Sequence, residues 1–446
     1  MASMRRGLSS LVVAALLVGS RAAAAPHIDK GPWPQRITRT TAEIRLELSE
    51  PAPVVLELEG DGGKGTSRKF QSREAKTFHV VRLEGLTPST VYSLSVVAGP
   101  SRLSGGFTTA PPDDSAAPFR FLVYGDNRTD DASHAQVVRA MASIPADFIL
   151  HTGDFVEDGG DARQWQTFFD IEAPLLRRTC VFAAVGNHEL LDQSATYFLR
   201  YFALGPPDVW RGAEPAPGTP LLSGTFRWAS ARFFVFNAMS RFTEGADRAW
   251  LERVLNEADG EAGLVWRVIV AHHGPWSAGP HGDNRALLEA GIPDLFRKHK
   301  VNLVLAGHDH IYERGEKGGL PYLVSGGGGA PAYEVKHVRA QTKKAEAVRH
   351  FVEVTATRDG LAIVARRMDG SLLETCGLPV DKAAWDCDAP PAAPPAAPPT
   401  IAPPAATPRS SCACDLAGQE GSRGAPGLFA LSVLFALAVR RACSSR

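Results

Sequence analysis

Neither sign of charge is in excess: the chain of 446 residues carries 48 Lys plus Arg against 48 Asp plus Glu. That balance excludes the broad basic field by which proteins gather nucleic acid or an anionic membrane surface, so specificity has to come from a local site. Long hydrophobic runs are missing as well. The apolar stretches near the two ends, Leu11 to Val18 and Gly427 to Val439, fall short of the ~20 residues that a bilayer-spanning helix needs. Cysteine is sparse, six in all. The one glycine run, SGGGGAP at 325–331, has no GK[ST] and no helical pattern behind it, which removes a phosphate-loop reading. What remains, 44% hydrophobic and 22% charged residues, is ordinary globular material in a length sufficient for two or three domains and a sizeable core.

The first 25 residues combine Arg5 and Arg6, the short apolar core and an Ala-rich end, the layout of a secretory signal. An exported compartment permits a disulfide between Cys376 and Cys387, whereas Cys180, inside the apolar run RTCVFAAVG, reads as a buried thiol. Residues 26–110 alternate apolar and polar residues in short runs separated by turn residues, which predicts an all-β sandwich. The segment PPDDSAAP is a linker. From 117 to 380 apolar runs alternate with helical stretches such as ASHAQVVRAMASI and ADRAWLERVLNEA, an α/β order. Residues 388–410 form a Pro/Ala-rich extended spacer, and 411–446 a tail of cysteines, short apolar stretch and terminal arginines.

Five apolar runs of the α/β region end in polar clusters. FRFLVYG delivers Asp126, ADFILHTG delivers Asp154, CVFAAVG delivers Asn187 and His188, WRVIVA delivers His272 and His273, and VNLVLAG delivers His308 and His310. The C-terminal edge of a largely parallel sheet is where such folds build their sites. One such Asp or Asn alone is commonly a turn former, and a lone His pair is commonly core packing. Together, two carboxylates, one amide and three imidazoles are a ligand mix for first-row dications or iron, with too few carboxylates for a calcium cage.

In order, GD (125–126), GDFVED (153–158), GNHE (186–189), AHHGPW (271–276) and GHDHIYER (307–314) resemble the five signature blocks of the calcineurin-like metallophosphoesterases. GHDHIYER with the preceding β domain looks most like the purple acid phosphatase branch, and the resemblance spans about residues 117–375. It implies a four-layer αββα catalytic domain behind a fibronectin type III-like sandwich. It also implies two divalent or trivalent metal ions (Fe, Zn or Mn) and a small phosphorylated substrate attacked by a metal-bridging hydroxide. By position, Asp154 would bridge the metals, Asp126 and His310 would serve the first, and Asn187, His272 and His308 the second. His188 would steer phosphate or protonate the leaving oxygen, with Glu189 orienting it, and His281 is either a substrate contact or a surface-loop histidine. The Gly run would let backbone approach the metals closely.

Two departures from the family pattern stand out. Glu157 occupies the place of the tyrosine ligand of purple enzymes, so no phenolate charge-transfer colour is expected, and Arg128 occupies the place where other branches have a histidine ligand. Arg128 is read either as a phosphate clamp or as an ion-pair partner of Asp130, Asp131 or Glu157. The tail resembles myxobacterial C-terminal sorting tails, implying a cell-surface protein whose tail engages a membrane or a sorting protease; a simple tail anchor is the alternative. The functional expectation is a secreted or surface-sorted acid phosphatase-like enzyme. A phosphodiesterase or nucleotidase, and a surface-binding protein with a degenerate metal site, are the alternatives.

Overall fold

A computed structural model of the chain describes residues 25–60, 67–191, 195–203, 222–239 and 246–388. The signal, the bulk of the Pro/Ala-rich spacer and the C-terminal tail expected from the sequence lie outside these residues.

The first five strands are β1 (Ile28–Gln35), β2 (Ala42–Gly60), β3 (Arg68–Leu83), β4 (Val91–Ala98) and β5 (Ser101–Thr108). Their hydrogen bonds join them into one sheet. The long β2 is shared: its first half pairs with β1 and β3, its second half with β3 and β4. Side chains of β1 tie this unit to the α/β region. Trp33 Nε1 donates to the Tyr201 carbonyl at 3.0 Å, and Gln35 donates to the Val181 carbonyl and accepts from Ala203 N–H. The Trp33 ring lies 4.6 Å from that of Phe169.

The remaining strands build two facing sheets. The six-stranded sheet joins β6 (Phe119–Tyr124), β7 (Phe148–His151) and β8 (Cys180–Ala183), mutually parallel, to the antiparallel β16 (His350–Ala356), β17 (Gly360–Arg367) and β18 (Leu372–Pro379). The seven-stranded sheet has the order β15-β13-β14-β12-β11-β10-β9, running from β15 (Thr342–Glu346) through β13 (Tyr312–Lys317), β14 (Leu320–Ser325), β12 (Leu303–Ala306), β11 (Trp266–Val270) and β10 (Ala231–Val235) to β9 (Gly224–Trp228).

Strand periodicity assigns each buried side chain to a layer. Phe121 and Val123 on β6, Phe233 on β10, and Val268 and Val270 on β11 face into one core between the sheets. Leu122 and Tyr124 face the opposite way, onto a second core with residues of α1 (Asp131–Met141), α2 (Ala162–Leu176) and α3 (Thr196–Tyr201). Phe234, Ile269 and Val304 face a third, with α4 (Ala246–Asp259), α5 (Arg285–Glu289) and α6 (Ile292–Lys298). Helices, sheet, sheet and helices therefore form four layers. Local chemistry sets the helix ends: Asp130 and Asp161 cap α1 and α2 by accepting from Ser133 N–H and Arg163 N–H. The stretch NRALLEAGIPDLFRKHK is interrupted because Gly291 adopts φ +66° and Pro293 follows in the first turn of α6. Cys376 and Cys387 are disulfide-bonded, and Cys180 is a buried free thiol.

Trp33 is fully buried and holds β1 against α2 and α3, so Trp33→Ala should destabilise the protein by about 3–5 kcal/mol in denaturant titrations. A loss below about 1 kcal/mol would show that this contact does not secure the N-terminal unit.

Candidate metal centre

The parallel strands β6, β7 and β8 of one sheet and β11 and β12 of the other end at the same edge, and the loops after them carry the polar clusters. The backbone there is strained to do so. Asp126, Asp154 and His308 all adopt positive φ, at 57°, 59° and 69°, a conformation that costs a non-glycine residue free energy and persists where surrounding contacts over-determine it. Glycines supply the clearance. A Cβ on Gly186 would collide with the Asp154 carboxylate, and one on Gly326, in the SGGGG run, would sit 3.0 Å from Asp126 Oδ2.

Asp154 is completely buried, and its two oxygens face different groups. Oδ1 lies 3.3 Å from His272 Nε2 and accepts from His188 N–H at 3.1 Å. Asn187 Oδ1 is 3.0 Å from the same His272 nitrogen. His272 Nδ1 points at the Thr152 carbonyl, 2.8 Å away, which fixes the ring so that Nε2 faces Asp154 and Asn187. On the other side, Asp154 Oδ2 accepts from Arg128 Nε at 3.1 Å, while Arg128 Nη1 donates to Glu157 at 2.6 Å and Nη2 lies 3.4 Å from His310 Nε2. Of the three ion-pair partners expected for Arg128, only Glu157 is used. Asp130 instead caps α1 and pairs with Arg349.

Asp126 accepts from His308 N–H, and one of its oxygens is 3.7 Å from His310 Nε2. His310 donates Nδ1–H to the Pro331 carbonyl at 2.9 Å, which leaves the Nε2 lone pair facing inward. The His308 ring lies against His273 at 3.6 Å and His281 at 4.1 Å. His188 Nδ1 contacts the Glu157 carbonyl at 2.6 Å, so Nε2 faces Asp154. Glu189 does not orient His188. Its carboxylate accepts from the N–H groups of Asp154, Phe155 and Gly186, tying two ligand-bearing loops together.

Several contributors leave little mark in the sequence. Asp309 anchors the half-exposed His281 through Nδ1 at 2.7 Å. Tyr333, beyond the Gly run, stacks on His310 at 3.9 Å. Behind Asp126, Asn127 accepts from His151 at 2.6 Å and donates to the Phe155 carbonyl, next to the His134–Glu172 pair. The alternation of donor types in HTGDF and GHDH carries a faint signal for His151 and Asp309; nothing in sequence marks the remaining contacts.

Electrostatics follow from this crowding. Burial pushes the Asp126 carboxyl up to about 8. Burial also opposes ionisation of Asp154, but His272, His188 and Arg128 hold its carboxylate well below the usual range. For His272, burial disfavours the charged form and is outweighed by Asp154 and Asp126, so its pKa rises to about 9. The Asp154 carboxylate and the Asn187 amide oxygen, both within 3.3 Å of His272 Nε2, are with that imidazole donors suited to one first-row cation.

Residues 119–312 match the calcineurin-like phosphoesterase family. Among curated relatives the chain is 26% identical to purple acid phosphatase 7 of Arabidopsis thaliana, over 47% of this chain and 69% of that protein. It is 27% identical to the probable purple acid phosphatase 20 of the same plant, over 51% and 53%, and 25% identical to human acid phosphatase type 7, over 62% and 65%. The chain thus spans about half to two thirds of the length of these relatives. Among solved structures it shares its fold with purple acid phosphatase PPD1 of yellow lupin, Lupinus luteus (TM-score 0.65, 18% identity, 83% of this chain and 78% of that one). It also shares it with PhoD (TM-score 0.63, 12% identity, 80% and 91%). The calcineurin-like family implies a dinuclear metal centre, and the residues around His272 fit one of its positions.

A cation bound there must displace the proton that His272 carries below about pH 9. The folded pKa is raised, so proton competition weakens as pH rises. Apparent affinity for Mn2+, measured by calorimetry between pH 6 and 8, should climb about tenfold per pH unit; a flat profile would show that His272 is not a ligand.

Proposed function

We propose that the protein is an exported, metal-dependent phosphatase that hydrolyses small phosphate monoesters in the manner of an acid phosphatase. The observation that carries this reading is the division of Asp154: one buried carboxylate presents Oδ1 to Asn187 and His272 and Oδ2 to the Arg128 and His310 side. Such a carboxylate suits phosphoryl transfer, where charge on both sides of the reacting phosphorus has to be neutralised. Asp154, Asn187, His272 and His308 would hold one cation, and Asp126 and His310 line the position beside it. A bound cation supplies an activated water and a Lewis acid for the phosphoryl oxygens.

The remaining groups act on the substrate. His188 presents Nε2 toward the centre while Nδ1 is held by the Glu157 carbonyl, the arrangement of a group that delivers a proton to a departing ester oxygen or steers phosphate. Asp309 fixes His281 through Nδ1, leaving its other nitrogen for a phosphate oxygen at the edge of a cleft of about 190 Å³ lined also by His273, Ser277 and His308. The names of the purple acid phosphatase relatives support the monoester reading. The Cys376–Cys387 disulfide supports export. The N-terminal β unit is read as a fibronectin type III-like module, and the tail as a surface-sorting segment that engages a membrane or a protease.

Activity on p-nitrophenyl phosphate against its bis-ester tests the substrate class: kcat/KM should favour the monoester. A reversed preference would make the protein a phosphodiesterase or nucleotidase, and inactivity on both, with no metal bound, would leave a surface-binding role. His188→Ala should lower kcat about 100-fold with a smaller change in KM. Asp309→Asn should reproduce the kinetic defect of His281→Ala; an Asp309→Asn variant of full activity would show that the His281 contact is incidental.

A further inference from the structure

We propose that the Arg128 guanidinium stands in for the first metal, so that the protein works with one bound cation and one built-in one. The inference rests on the phosphoesterase reading above and concerns which charges fill that site. The family's first position is bounded here by Asp126, Asp154 Oδ2 and His310 Nε2. Arg128 contacts two of these three groups directly, Asp154 Oδ2 through Nε at 3.1 Å and His310 Nε2 through Nη2 at 3.4 Å.

The contact with His310 is the informative one. Because its Nδ1–H is committed to the Pro331 carbonyl, the Nε2 lone pair is the only one the ring can offer, and a metal and a guanidinium compete for it. The third branch of the fork, Nη1, is held at 2.6 Å by Glu157, the residue that replaces the tyrosine ligand. The two departures from the family pattern therefore compensate each other: a cation stands at 128 and an anion at 157 holds it. Tyr333 encloses the arrangement, stacked on His310. The guanidinium side chain is only 12% exposed, and its partner Asp154 is fully buried, a setting in which the ion pair is poorly screened by solvent. A planar fork cannot be deprotonated at working pH, so the charge is permanent.

The second position is untouched by Arg128 and keeps its own donors, Asp154 Oδ1, Asn187 and His272. The result is a mixed centre of one dication and one guanidinium. The intact protein, stripped of metal, reloaded with excess Mn2+ and desalted, should retain close to one manganese per chain and give the isolated six-line electron paramagnetic resonance signal of a single Mn2+. Arg128→Ala and Arg128→His should bind close to two and show an exchange-coupled signal. Two coupled manganese ions in the unaltered protein would overturn the proposal while leaving the phosphoesterase reading intact. A single ion in both variants would also overturn it, since Arg128 would not be what excludes the second. An unaltered protein that binds no metal and cleaves no phosphoester would remove the parent reading and this one with it. Even if neither variant folds, two manganese ions in the unaltered protein overturn the proposal.

Discussion

The buried carboxylate of Asp154 is the group on which the rest of the site depends. It has no exposure to solvent, and an ionised carboxylate in such a place is tolerated only with compensating charge and hydrogen bonds. His272, His188 and Arg128 supply the charge, and the His188 N–H supplies a hydrogen bond. Its backbone is held in a left-handed conformation by Glu189, whose carboxylate gathers three N–H groups from the loops after β7 and β8. Removal of that carboxylate would release both loops together.

The scaffold around it is built to resist such release. Two sheets share an aromatic core in which Phe121 meets Phe233 at 5.4 Å and Phe182 stacks on Phe226 at 3.5 Å, which fixes one set of strand ends relative to the other. A buried polar network lies beneath the first loop. Tyr124 and His134 both bond Glu172, and Asn127 links the Phe155 carbonyl to His151. Since His151 also accepts from Gly153 N–H, the loops carrying Asp126 and Asp154 are joined through side chains as well as through the sheet. Buried hydrogen-bond networks of this kind restrict the arrangement of the groups they connect.

Much of this is legible in the sequence because it is local. Apolar runs that stop at glycine and then present Asp, Asn or His locate the strand ends, and strand alternation assigns Phe121 and Leu122 to opposite faces. Other features depend on contacts between distant residues and leave no local trace. Glu189 reads as a partner for its neighbour His188, yet it binds backbone 34 and 35 residues away. His281 reads equally as a loop residue or a substrate contact until Asp309, 28 positions later, is seen to hold it. Arg128 is visible as an oddity. Its reach to His310, separated by 182 positions, comes only from the way the two sheets face each other. The single hydrogen-bonded sheet of the N-terminal unit is likewise a consequence of β2 being long enough to pair on both sides.

The central claim is that this edge of the two sheets is a phosphoesterase centre in which Asp154 shares its two oxygens between a bound cation and Arg128. Diffraction from crystals of the protein grown with Mn2+, recorded above and below the manganese edge, tests it most directly. The account predicts one anomalous peak within bonding distance of Asp154 Oδ1, Asn187 and His272, with the Arg128 guanidinium still on Asp154 Oδ2. A pair of peaks bridged by Asp154 with Arg128 displaced, or no peak at this edge, would contradict it.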